Sequence, residues 1–125
     1  MDRQAVFNWT AQQYGTEPEY LWAQYPSYAV LRGSGGKWYA AVMDVPRSKL
    51  GLQGEEKVDI LNVKCDPVLV GALRLQPGFL PAYHMNKNSW ISILLDGTVS
   101  DEEIKTLIDI SYALTMPKRG RRPKD

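Results

Sequence analysis

The chain has 125 residues, a formal net charge of +1, a single cysteine and a single histidine. That length fits one domain able to bury a core unaided, and one cysteine excludes both an internal disulfide framework and a cysteine-based zinc site. No apolar run reaches membrane-spanning length, and Met1-Asp2-Arg3-Gln4 lacks the charged start and apolar core of a signal peptide, so the cytoplasm is the expected location.

The first element is a helix capped near Asp2 and running to about Tyr14, where Gly15 ends it. Two buried faces compete on it: Val6, Trp9, Thr10 and Gln13, or Phe7, Ala11 and Tyr14. Pro18 keeps Glu17 out of helix, so Thr16–Glu19 reads as a loop. Tyr20–Tyr28 is dense in rings, which are expected to fill the seam between the first helix and a sheet. A stacking platform for bases is the alternative use. Ala29–Arg32 and Lys37–Asp44 flank Gly33-Ser34-Gly35-Gly36 and predict a hairpin. Its glycines match neither the P-loop ending nor the dinucleotide spacing, so they are read as turn residues.

Pro46–Glu55 is a longer loop, and Glu56–Cys65 is a third strand. Leu61, Val63 and Cys65 alternate there with Asn62 and Lys64, the pattern of a half-buried strand. Cys65 falls on the apolar side and reads as a small buried hydrophobe. Asp66-Pro67 caps a short helix through Arg74, and Gln76-Pro77-Gly78 ends it. Phe79–Tyr83 then continues extended.

Leu80–Gly97 is the most informative stretch. Tyr83-His84-Met85-Asn86-Lys87-Asn88 is a polar segment at the mouth of an apolar run, Trp90–Leu95, that has the length of a buried strand. Asp96-Gly97 turns the chain. Ser100 and Glu103 stand at capping-box spacing and start a helix from Asp101 to Leu114. Its apolar stripe is Ile104, Leu107, Ile108, Ser111 and Leu114. The resulting order is α-β-β-β-α-β-β-α in one α+β domain, residues 1–116. The final nine residues carry five bases and one acid, which leaves ten bases and thirteen acids before them. The tail, 117–125, is expected to be basic and disordered, while the body is slightly acidic.

No catalytic motif is spelled out. His84 has no carboxylate or nucleophile at a recognisable spacing, and one histidine cannot build a histidine-rich metal site. It reads first as a side chain ordering its turn, second as a contact to a ligand or phosphate, and last as a catalytic base. Asn86-Lys87-Asn88 reads as a polar turn or as a phosphate contact. Glu55-Glu56 and Asp101-Glu102-Glu103 read as surface carboxylates, the latter favoured at a helix start. No cofactor is expected.

Several islands, taken together, carry a family resemblance. They are Gly36-Lys37-Trp38-Tyr39-Ala40, Leu61-Asn62-Val63-Lys64-Cys65-Asp66-Pro67, Pro81–Lys87, Trp90–Gly97 and Ser111-Tyr112-Ala113-Leu114. The chain resembles the MmcQ/YjbR family of small bacterial proteins. The resemblance implies an antiparallel sheet packed on one side by helices, similar to the CyaY/frataxin fold, and a DNA-binding role; with no catalytic motif in the residues, that role is expected to be non-enzymatic. The residues that would carry that role are Lys37, Lys64, His84, Asn86 and Lys87. Lys118, Arg119, Arg121 and Arg122 of the tail are added on charge alone. A protein-interaction module and a small-molecule binder using His84 remain the alternatives.

Overall fold

A computed structural model of the chain describes residues 1–117. The expected tail therefore lies outside the described residues, apart from Pro117. The described elements run α1 (Arg3–Tyr14), β1 (Ala29–Arg32), β2 (Trp38–Pro46), a 3-10 turn (Arg47–Leu50), β3 (Lys57–Lys64), α2 (Pro67–Leu73), β4 (Phe79–Pro81), β5 (Trp90–Leu94) and α3 (Asp101–Leu114). The order read from the residues holds, with boundaries shifted by a residue or two.

Local chemistry accounts for the helix starts. Asp2, Asp66 and Ser100 each accept an N–H of the first helical turn, from Ala5, Leu69 and Glu103 respectively, so orphan donors are satisfied at all three. Gly15 closes α1 in the left-handed conformation, φ 70°, which glycine adopts without a Cβ penalty.

The five strands form one sheet in the order β1-β2-β3-β5-β4. All four pairings are antiparallel. Glu19 bridges Val30 outside the β1 edge, and the β4 edge is only three residues long and ends in Pro81. Both edges are thus poor templates for further pairing.

One face of the sheet carries the helices. Val6 and Phe7 of α1, Val70 and Leu73 of α2, and Ile104, Leu107 and Ile108 of α3 pack there against Val42, Leu61, Val63, Ile91 and Ile93. Each such aliphatic side chain contributes about 1.5–3 kcal/mol relative to leaving it in water. The buried residues of α1 are Val6, Phe7 and Thr10, so its inner face draws on both candidate faces rather than on either alone.

A β-bulge interrupts the hairpin. Leu31 pairs with Ala40 but Arg32 pairs with Trp38, which leaves Tyr39 as the extra residue. On the other side of β2, beyond the last β2–β3 pair at Ala40 and Val63, Ser111 of α3 bridges those two strands. Its fully buried hydroxyl accepts from the Lys64 N–H at 2.8 Å and donates to the Tyr39 carbonyl at 2.6 Å.

The second face corrects two expectations. The rings of the Tyr20–Tyr28 segment do not fill the seam under α1. Trp22 and Tyr28 pack on the opposite face, with Val30, Ala41, Met43, Val45, Ile60 and Leu94. Leu50, Leu52, Leu80 and Tyr83 cover the rest of it. The sheet is therefore buried on both sides, by helices below and by loops above. For the same reason Asn62, read as a solvent-facing position, is 0 % exposed.

Candidate functional site

The loops over the second face meet at Tyr83-His84. Two buried polar side chains of adjacent strands hold this point. Asn62 and Ser92 are cross-strand partners on β3 and β5, and both are fully buried. The Asn62 amide donates to the Tyr83 carbonyl at 3.0 Å, and the Tyr83 N–H donates to the Ser92 hydroxyl at 2.9 Å. The Ser92 hydroxyl in turn donates to the Asn62 side-chain oxygen. Every member of this triangle is satisfied, as buried polar groups must be.

Fixing both backbone groups of Tyr83 fixes the entry to His84. His84 has φ 59°, the one non-glycine residue at positive φ among the described residues. A side chain there costs about 1–2 kcal/mol, and such strain collects at functional positions. The exposed imidazole lies against the Tyr83 ring, with centroids 4.1 Å apart. Beyond it the chain turns back to β5. The Asn86 side chain accepts from the Asn88 N–H at 2.8 Å, and the Asn86 carbonyl accepts from the Trp90 N–H at 3.0 Å. Asn86 is thus occupied in building the turn.

His84 borders three concavities. The first, about 440 Å³, is aromatic and lined by Trp22, Tyr25, Tyr28, Trp38, Met43, His84 and Met85. Trp22 meets Trp38 and Tyr28 edge-on, at interplanar angles of 75° and 74°. Tyr25, 51 % exposed, stacks on Tyr28 at 4.7 Å. The second, about 410 Å³, is lined by Lys49, Leu50, Pro81, Ala82, Tyr83, His84 and Lys87. The third, about 400 Å³, contains Lys49, Lys57 and His84 but also Asp44, whose carboxylate lies 3.8 Å from the Lys57 ammonium. Burial first, then the neighbouring Tyr83, Tyr25 and Asp44, pushes the Tyr28 phenol up to about 12.

His84 and Lys87 are therefore brought together. Lys37 and Lys64 line none of these concavities, but the strand register puts them at the same end of the sheet. β2 begins at Trp38, β3 ends at Lys64 opposite Trp90, and β4 ends at Pro81 opposite Ile91. The hairpin loop carrying Lys37, the end of β3 and the Tyr83–Asn88 turn thus share one rim. α3 returns to this rim, for Pro117 lies against Gly35, where a Cβ would stand 2.8 Å from its ring. Arg32, Glu17, Glu19 and Asp66 are there too. Arg32 is paired with Glu19 at 3.1 Å, and Asp66 caps α2. Among the described residues none of Lys37, Lys49, Lys64 and Lys87 has a carboxylate partner within 4.0 Å. Lys118, Arg119, Arg121 and Arg122 lie outside the described residues.

Lys49, Lys57 and the ring wall were not legible as parts of one site. The available signal was Leu50 and Leu52, two apolar residues in an otherwise polar loop. They anchor that loop over the sheet and so carry Lys49 to the cleft. Burial, then Asp66, pushes the Cys65 thiol up to about 11, which suits an inert core residue. Among the described residues no three His, Cys, Asp or Glu side chains gather to hold a metal ion, and no helix is long and apolar enough to cross a membrane.

These features define a small α+β domain with one helix-covered sheet face and one loop-covered face bearing a cleft. The family model described as YjbR matches residues 11–114, and the chain belongs to the YjbR family. It is 46% identical over 116 residues to a Bacillus subtilis (strain 168) protein, YyaQ, described as uncharacterised. That match covers 92% of this chain and 98% of YyaQ. A crystal structure of a Pseudomonas syringae protein superposes with a TM-score of 0.90 at 45% identity, covering 93% of this chain and 100% of that one. The Deinococcus radiodurans protein DR2400 superposes with a TM-score of 0.64 at 26% identity, over 86% of this chain and 72% of its own.

Proposed function

We propose that this chain binds DNA without carrying out chemistry on it. One observation carries the reading: the register gathers Lys37, Lys64 and the His84–Lys87 turn on one rim of the sheet. That rim is also where Pro117 lies against the hairpin, and in sequence the five bases of 118–124 follow directly. Phosphate contacts of this kind supply affinity rather than base selectivity. The resemblance to the MmcQ/YjbR family implies the same role.

A salt titration of binding to a fluorescent duplex tests the proposal. Log affinity falls linearly with log salt, with a slope of roughly −0.9 for each phosphate neutralised. Lys37→Gln and Lys64→Gln each lower that slope by about one unit, and neither moves the melting temperature. Absence of binding to any nucleic acid at low salt sinks the reading. The exposed Tyr20, Leu21 and Tyr25, at 55 %, 47 % and 51 %, favour a protein partner as the second reading. That reading requires DNA affinity to be negligible at physiological salt.

A further inference from the structure

The cleft around His84 divides into compartments of opposite character, and the division matches the two halves of a nucleotide. The aromatic compartment is walled by Trp22, Tyr25, Tyr28, Trp38, His84 and Met85, with no charged side chain among its lining residues. A second concavity that His84 also borders contains Lys49 and Lys87, and no carboxylate lines it. The third concavity is unsuited to an anion, because Asp44 stands in it beside Lys57. An anionic group is thus directed to the Lys49–Lys87 side, and a flat apolar ring to the other.

The bases of a duplex are stacked and present only their edges in the grooves. A base can reach a ring-lined cavity only when it has left the stack. From this arrangement we infer that the cleft takes one unpaired nucleotide of a single-stranded segment. The base lies among Tyr25, Trp22, Trp38 and His84, and the adjoining phosphate rests between Lys49 and Lys87. His84, with its strained backbone, borders both compartments and fixes their junction. The inference rests on the nucleic-acid reading above but adds a strand preference that the rim lysines alone do not require.

The test compares a thymine oligonucleotide, a duplex of matched length and free thymidine monophosphate at one salt concentration. Tryptophan emission and anisotropy are the readouts. The single strand binds at least about tenfold more tightly than the duplex and quenches tryptophan emission, as base stacking of ordinary strength requires. Tyr25→Ala, at a half-exposed position, lowers single-strand affinity about tenfold and leaves duplex affinity unchanged. Lys49→Gln with Lys87→Gln reduces the single-strand salt slope by roughly 0.7 per lysine. Retained melting temperatures certify the fold of each variant. Equal affinity for strand and duplex, or a Tyr25→Ala variant that loses neither, overturns the cleft assignment while leaving DNA binding in place. Free mononucleotide binding as tightly as the oligonucleotide overturns it in favour of a small-molecule site. Failure of all three probes overturns both the cleft assignment and the DNA reading.

Discussion

Replacing Asn62 with Ala examines how the cleft is held. In the native protein the fully buried Asn62 side chain donates to the half-buried Tyr83 carbonyl and accepts from the buried Ser92 hydroxyl. Its removal leaves that carbonyl and the Ser92 hydroxyl proton without partners. Each buried group left unsatisfied costs about 1–3 kcal/mol, so Asn62→Ala is expected to cost about 2–5 kcal/mol. Ser92→Ala strands the Tyr83 N–H and the Asn62 oxygen instead, at a similar cost. Because the two changes break the same triangle, the double variant falls short of the sum by about 1–3 kcal/mol. Urea unfolding gives the numbers directly: the midpoint drops by roughly 1–3 M at unchanged slope. A midpoint loss for Asn62→Ala worth less than about 0.5 kcal/mol, or strict additivity, would refute the idea that these two side chains clamp Tyr83.

Ser111→Ala removes the hydroxyl joining Lys64 N–H to Tyr39 C=O; it is expected to cost about 1–4 kcal/mol in the same assay, since a buried carbonyl and a half-buried N–H lose their partner. Gly78 has φ 90° and a Cβ there would stand 2.6 Å from a Val99 methyl, so Gly78→Ala lowers the melting temperature by roughly 5–15 °C. A Cβ added at Gly71 in α2 would meet no heavy atom within 4 Å, so Gly71→Ala raises stability by about 0.5–1 kcal/mol, read from the shift in urea midpoint. Burial works against ionisation of Asp96, but hydrogen bonds from Thr98 outweigh it and hold the carboxyl below its ordinary range. A depressed folded value makes the stabilising contribution present above about pH 4 and lost as pH falls through it. Asp96→Asn accordingly flattens the acid limb of the stability curve, measured by urea midpoints from neutral pH downward.

The final strand and helix were the most legible parts of the chain. Trp90–Leu95 has too few apolar residues for a helix, and Ser100 and Glu103 mark the next start; both elements stand where the pattern puts them. The placement of Trp22 and Tyr28 was not legible, because apolar content says that a ring is buried but not on which side of a sheet. Asn62 misled for a related reason. A polar residue at the alternating position of a strand ordinarily faces water, and only the loops crossing above it turn that position into an interior one. His84 and Lys87 were singled out on residue type and do meet. Lys49 joins them through a loop whose path no local periodicity records.

The Ser111 hydroxyl has a wider consequence. Where β2 and β3 would otherwise be stitched by backbone alone, a helix side chain completes the seam. α3 is therefore pinned to the sheet at this point, and a shift or rotation by one residue would break both hydrogen bonds of the Ser111 hydroxyl. The Lys64 amide becomes a reporter of that engagement, because its exchange with solvent deuterium must wait until the helix lets go.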